Sequence, residues 1–165
     1  MFKAWPIIKG AVPDTSLVIT SDYRLWGSPD ARNDQDRANF FGWKDVTFLG
    51  AVNRQRMVEE ELKAEIHAYP CTYDELFCIS IAETQVAGAY PISTDVGAME
   101  TTNLGKKVKY HKNADVWLPE FCDFTIEALK DPNLVWERKK IQEEAIERFD
   151  PYRILKEWDE KVFSG

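Results

Sequence analysis

Cysteine, histidine and long apolar runs are all scarce in this chain, and each shortage argues against a class of protein. The cysteines are three, Cys71, Cys78 and Cys122, odd in number, irregularly spaced and without a CxxC pair; the histidines are two, His67 and His111. That inventory argues against a structural zinc site and against a disulfide scaffold, and it fits buried free thiols in a reducing cytoplasm. No segment approaches the roughly 20 apolar residues of a membrane span. The N-terminus has no basic-then-apolar signal pattern. Basic residues are outnumbered, with 21 Lys and Arg against 28 Asp and Glu for a net charge of −7, so binding a nucleic-acid backbone is not the expected main task.

What is present is ample material for a core. The 165 residues are 44% apolar and 13% aromatic, which suits a single domain over residues 1–165 with one core. Strand-like and helix-like segments alternate along the first two thirds. A short helix is expected from Phe2 to Gly10, then strands at 17–20, 46–50, 66–71 and 90–94, with a short edge strand at 107–110. Asn53 is placed to cap a helix over 54–64, and a second helix is expected from Ile79 to Ala87, ending at Gly88. Residues 22–37, rich in Asp, Asn, Gly, Ser and Pro, read as a long surface loop flanked by Trp26 and Trp43. Strands joined by helical crossovers of this length imply an α/β class with a Rossmann-like parallel sheet flanked by helices, whose ligands bind beyond the carboxyl ends of the strands.

From about residue 115 the pattern is helical only. Trp117, Phe121, Phe124 and Ala128 form one apolar stripe, and Leu134, Ile141, Ala145 and Phe149 form another after Pro132. Asp150-Pro151 starts a last helix, whose Ile154, Leu155, Trp158 and Val162 are expected to dock it.

The segment most informative about chemistry runs from Tyr73 to Ser93. Its two carboxylates, Glu75 and Glu83, stand eight positions apart around apolar residues. Eight helical residues turn through about 800°, which would splay the pair on one helix, whereas a loop-to-helix junction lets both enter one cleft. The amides of Leu76, Phe77 and Cys78 would then lie near a helix N-terminus, a setting that suits phosphate. A carboxylate accepts two hydrogen bonds in one plane and so matches the vicinal hydroxyls of a sugar. Two readings fit these residues: Glu83 holds a ribose and Glu75 a sugar, or Glu75 complements the helix dipole and Glu83 is solvated on the outer face.

This segment resembles the donor-binding half of the retaining glycosyltransferases of GT-B fold known as glycosyl transferases group one, whose signature is Glu, seven residues, Glu. Here it reads Glu75-Leu76-Phe77, then Glu83-Thr84-Gln85-Val86-Ala87-Gly88-Ala89-Tyr90-Pro91-Ile92. Val46 to Val52 is similar to the family's strand and glycine loop that faces the nucleotide base. Asp95-Val96-Gly97-Ala98-Met99-Glu100 is similar to a later glycine turn, and 149–158 to the closing aromatic helix. The resemblance covers nearly the whole chain. It implies that Glu83 binds the ribose of a nucleotide diphosphate sugar and that Glu75, the catalytic candidate, contacts the transferred sugar. It further implies that Leu76, Phe77 and Cys78 meet the diphosphate and that Gly50 and Val52 face the base, with no metal and no other cofactor.

Three features depart from the family pattern. Cys78 stands where the family has glycine, and Thr84 where it has alanine. The loop whose Arg and Lys neutralise the diphosphate has no recognisable copy, with Lys3, Lys9, Arg24 and Arg32 as the only substitutes considered. The acceptor-binding half is also not recognised, so the expected partners are a nucleotide sugar and either an acceptor-binding domain or chain or a second copy. Localisation is expected to be cytoplasmic, with membrane contact made through that other half. Outside this segment, Lys106, Lys107, Lys109, His111 and Lys112 form a basic cluster read mainly as a solvated edge, and His67 is read as a structural histidine.

Overall fold

The computed structural model describes residues 1–20 and 42–163; the expected loop at 22–37, with Trp26, Arg24 and Arg32, lies outside the described residues. In chain order the elements are α1 (Ala4–Ala11), β1 (Leu17–Ile19), β2 (Val46–Phe48), α2 (Arg54–Lys63), β3 (Ile66–Tyr69), α3 (Ile79–Val86), β4 (Tyr90–Thr94), α4 (Met99–Thr102), β5 (Lys106–Val108), α5 (Ala114–Lys130), α6 (Leu134–Arg148) and α7 (Pro151–Trp158). A π-helical turn, Asp159–Phe163, follows α7.

All strand pairs among the described residues are parallel, as the crossover lengths require, and they form two sheets. β1 lies beside β2 with Leu17 opposite Val46, and the second sheet has the order β3-β4-β5 with Ile66 opposite Tyr90 and Ile92 opposite Lys106. Every residue of the central strand β4 is buried. One face of this arrangement is filled by Ile92, Val108, Trp117, Phe121 and Ile141, onto which Leu17, Val46 and Ile66 also pack, so both sheets border the same core. The α5 stripe of Trp117, Phe121, Phe124 and Ala128 and the first part of the α6 stripe, Leu134 and Ile141, pack into this core. A second, smaller cluster of Cys71, Cys78, Ile81, Val96 and Met99 gathers residues that follow β3 and β4.

Several boundaries differ from the sequence reading for local reasons. β3 ends at Tyr69, before Pro70, which has no amide to offer a ladder. β5 covers 106–108 and not 107–110, because the Tyr110 amide donates at 2.7 Å to the Asp95 carboxylate instead of continuing the ladder. The caps are as expected: Asn53 accepts from the Arg56 amide at 2.9 Å, and Asp150 accepts from the Tyr152 amide at 3.0 Å.

The expected docking of α7 is not observed. Ile154, Leu155, Trp158 and Val162 are all exposed, and α7 buries no residue. Apolar periodicity defines a helical face without specifying what lies opposite it, and here no described part of the chain covers that face. What ties the end of α6 to the rest is Phe149, whose ring meets Phe77 edge-on at 5.7 Å between centroids.

Candidate functional site

Because β3 and β4 are parallel neighbours, the loops that follow them emerge at the same edge of the sheet, and they are joined there. The Ala98 amide donates to the Glu75 carbonyl at 2.8 Å. Gly97 lies against the same residue with φ of +57°, so close that a Cβ there would stand 2.8 Å from both the Glu75 nitrogen and oxygen. Only glycine combines that backbone conformation with that approach. The Glu75 main chain is thus fixed from the neighbouring strand's loop.

The second carboxylate, Glu83, projects from α3 and is paired. Its Oε2 accepts from the Arg54 guanidinium at 2.7 Å, which brings the start of α2, and with it the loop through Gly50 and Val52, to the α3 surface. Gly50 has φ of +67° with no close neighbour but the Phe48 ring at 3.8 Å, so its requirement for glycine is conformational. Glu61, on the last turn of α2, belongs to the same charge group. Burial first, and then the Glu83 charge, push its carboxyl above the usual range, and Arg54 opposes them. The Glu83 carboxylate in turn raises the Arg54 pKa through their hydrogen bond and mutual charge. The loop-to-helix reading of the Glu pair therefore holds for placement: Glu75 is in the loop and Glu83 in the helix, as expected.

Leu76, Phe77 and Cys78 occupy the junction between them. Leu76 is 98% exposed, Phe77 is exposed beside Phe149, and Cys78 is buried as the residue before α3. Cys78 has φ of +63°, the left-handed region that a side chain disfavours by about 1–2 kcal/mol. The position where the resembled family carries glycine is one where this backbone favours glycine. Its thiol makes a 3.4 Å contact with the Ser80 hydroxyl, and burial pushes its pKa up. Comparing Cys78→Gly with Cys78→Ala isolates the strain, since both remove the thiol. The glycine variant is expected to be more stable by about 1 kcal/mol, seen as a Tm higher by about 2–4 °C in thermal unfolding.

Tyr69, which the sequence did not single out, joins the site, and His67, Thr84 and Asp95 acquire partners. Tyr69, the last residue of β3, donates its hydroxyl to Glu75 Oε1 at 3.1 Å and lies 2.7 Å from the Tyr73 hydroxyl. His67 Nδ1 is 2.7 Å from the Thr84 hydroxyl. Thr84 has one hydroxyl proton and directs it to the Ser80 or Ile81 carbonyl, so His67 Nδ1–H is the donor in that pair. Burial lowers the His67 pKa to about 4, which leaves the ring neutral at neutral pH and agrees with a structural role. Thr84 thus has a specific partner where the family pattern has alanine. Asp95, after β4, would be raised by burial, but hydrogen bonds from Lys109 and from the Tyr110 amide outweigh that and hold it below the usual range.

The basic cluster divides into structural contacts. Lys109 pairs with Asp95 at 2.8 Å, Lys107 donates to the Glu100 and Asn103 carbonyls at the end of α4, and Lys106 sits 5.1 Å over the Phe124 ring. Lys3 and Lys9, considered for the diphosphate, pair with Asp115 and Asp45. Among the described residues no three His, Cys, Asp or Glu gather as a metal site would require, and no helix is long and apolar enough to cross a membrane.

Comparison with solved structures decides the architecture. The pneumococcal O-GlcNAc transferase GtfA, solved with UDP and GlcNAc, superposes with a TM-score of 0.77 at 16% identity, covering 98% of this chain and 32% of that one. Anabaena HepE, solved with UDP and glucose, gives 0.71 at 17% identity over 99% of this chain and 46% of its own. The fold is the α/β fold that these two glycosyltransferases contain over a segment of their chains. A chain of the GtfA/B complex matches as well, with a TM-score of 0.67 at 13% identity over 87% of this chain and 29% of that one. This chain thus spans between under a third and just under half of the length of these chains. No protein-family model and no curated protein matches the sequence.

Proposed function

We propose that this chain is the donor-binding part of a retaining glycosyltransferase of the group-one type, taking a nucleoside diphosphate hexose and passing the sugar to an acceptor held elsewhere. The observation that carries this reading is the junction itself: Glu75 in a clamped loop, Glu83 on the following helix, and the start of that helix between them, on a fold shared with enzymes solved with UDP. In this reading Glu83 binds the ribose hydroxyls, Glu75 contacts the transferred sugar, and the amides of Leu76, Phe77 and Cys78 face the diphosphate. Gly50 and Val52 offer backbone to the base. A helix N-terminus supplies partial positive charge where negative charge develops on the leaving diphosphate, which is the main stabilisation such a transfer needs. The reading assigns no metal, and places the protein in the cytoplasm.

A partner is part of this reading. Lys3 and Lys9 are engaged with Asp115 and Asp45, while Arg24 and Arg32 lie outside the described residues; the reading takes the cations that complete neutralisation of the diphosphate from an acceptor-binding domain or chain, and one comparison structure is itself a complex of GtfA with GtfB. The same observation favours a second reading, in which the chain binds a nucleotide sugar without turnover until that partner joins.

The test is calorimetric titration with UDP, GDP and ADP and their glucose or mannose conjugates. One of the three bases is expected to bind best. Glu83→Ala is expected to weaken that ligand about 100-fold, the equivalent of two hydrogen bonds to a charged acceptor at about 1.5 kcal/mol each. An unchanged affinity in the variant would overturn the assignment of Glu83.

A further inference from the structure

Nothing in the family signature accounts for the hydroxyl chain behind Glu75. The Glu75 main chain is held by Gly97 and Ala98, yet a glutamate side chain has three rotatable bonds beyond it, and ordering such a side chain costs up to about 2 kcal/mol. The carboxylate is met by Tyr69 at 3.1 Å. The Tyr69 and Tyr73 hydroxyls lie 2.7 Å apart, where either can donate to the other, and Tyr73 also hydrogen-bonds with Glu75. The exposed Tyr73, Tyr69 and Glu75 thus form one hydrogen-bonded group, with Tyr69 Oη donating to Glu75 Oε1.

Tyr69 is itself held in place. It packs against the cluster of Cys71, Cys78, Ile81, Val96 and Met99, and its ring lies 5.6 Å from that of His67, tilted by 34°. His67 in turn is bonded to Thr84, next to Glu83 on α3. A continuous set of contacts therefore links the helix that carries one carboxylate to the side chain of the other. Burial, the first of several causes, raises the pKa of both tyrosines, so both remain protonated donors at neutral pH.

We propose that Tyr69 is a positioning residue for Glu75: its hydroxyl holds Oε1 so that Oε2 is presented to hydroxyls of the transferred sugar, with Tyr73 as the second hydroxyl of the same group. This rests on the donor-site reading above and deepens it, because it assigns recognition of the sugar, as distinct from the nucleotide, to a residue outside the signature.

The test compares UDP with UDP-glucose, GDP with GDP-mannose and ADP with ADP-glucose, by calorimetry on the full chain. The readout is the sugar increment, the ratio of the nucleotide Kd to the nucleotide-sugar Kd. Tyr69→Phe keeps the ring and removes only the hydroxyl. It is expected to reduce the increment about tenfold, or to abolish it where the wild-type increment is smaller, while nucleotide affinity stays within about twofold. Tyr73→Phe is expected to give a smaller loss, about threefold. Adding Tyr69→Phe to Glu75→Gln is expected to cause little further loss, since the two act as a unit. An unchanged increment in Tyr69→Phe, or an equal loss for nucleotide and nucleotide sugar, would overturn the positioning role while leaving the donor site standing. Failure of the donor reading looks different: the wild-type chain itself then binds none of the three nucleotides, and the proposal falls with it.

Discussion

Gly105→Ala is expected to destabilise the protein by roughly 3 kcal/mol, the upper part of the usual overpacking range. A Cβ at this position would fall deep inside van der Waals contact with the Pro91 carbonyl oxygen and 3.0 Å from Cγ and Cδ of the same residue. Neither side can move to relieve it. Pro91 lies in β4, where every residue is buried and both edges are paired. On the other side, Asn103 holds the turn: its Oδ1 accepts from the Gly105 amide at 2.6 Å while its Nδ2 donates to Ser93 Oγ at 2.7 Å and to the Lys106 carbonyl at 3.0 Å. Denaturant unfolding with an unchanged m value reads the loss directly. Gly10→Ala is the control of opposite sign: Gly10 lies within α1, where an added Cβ would meet nothing within 4 Å, so alanine there is expected to add about 0.5–1 kcal/mol.

Gly97→Ala is the second large effect, and it reaches the site. Alanine at φ of +57° costs about 1–2 kcal/mol from the left-handed conformation alone. Its methyl group also meets Glu75 backbone atoms at 2.8 Å and the Asp74 Cα at 3.1 Å, so the loop must shift. The total is expected near 3 kcal/mol in denaturant unfolding. The shift displaces Glu75 from Tyr69, so under the proposed function the sugar increment is lost while the nucleotide, held through Glu83, still binds. Retention of the wild-type increment by a folded Gly97→Ala protein would show that Glu75 does not need its clamped position.

Much of this arrangement was legible in the chain because it rests on local rules. β4 spans the five residues that its apolar, turn-bounded run predicts, and Asn53 and Asp150 cap the helices that they precede in sequence. A helix expected from Ile79 to Ala87 takes in Glu83 and leaves Glu75 in the loop before it, which is where the two are found. What escaped was long-range in sequence or depended on backbone angles. Arg54 reaches Glu83 across 29 positions, and no periodicity reports an ion pair between two separate crossover units. Tyr69 precedes Pro70 at the end of a strand and reads there as ordinary half-buried aromatic surface. The left-handed conformation of Cys78 is hidden because cysteine gives no sign of it. α4, at four residues, is too short to carry a helical period, and the apolar face of α7 predicts burial that the described residues do not provide.

The measurement that bears most directly on the account is amide chemical-shift mapping of the isotope-labelled chain during addition of UDP, GDP or ADP. The account predicts that the largest perturbations fall on the amides of Leu76, Phe77 and Cys78, with further changes at Gly50, Val52 and Glu83, and that Glu83→Ala suppresses them. Perturbations confined to other surfaces, or a response to all three nucleotides that is untouched by Glu83→Ala, would contradict a donor site at this junction.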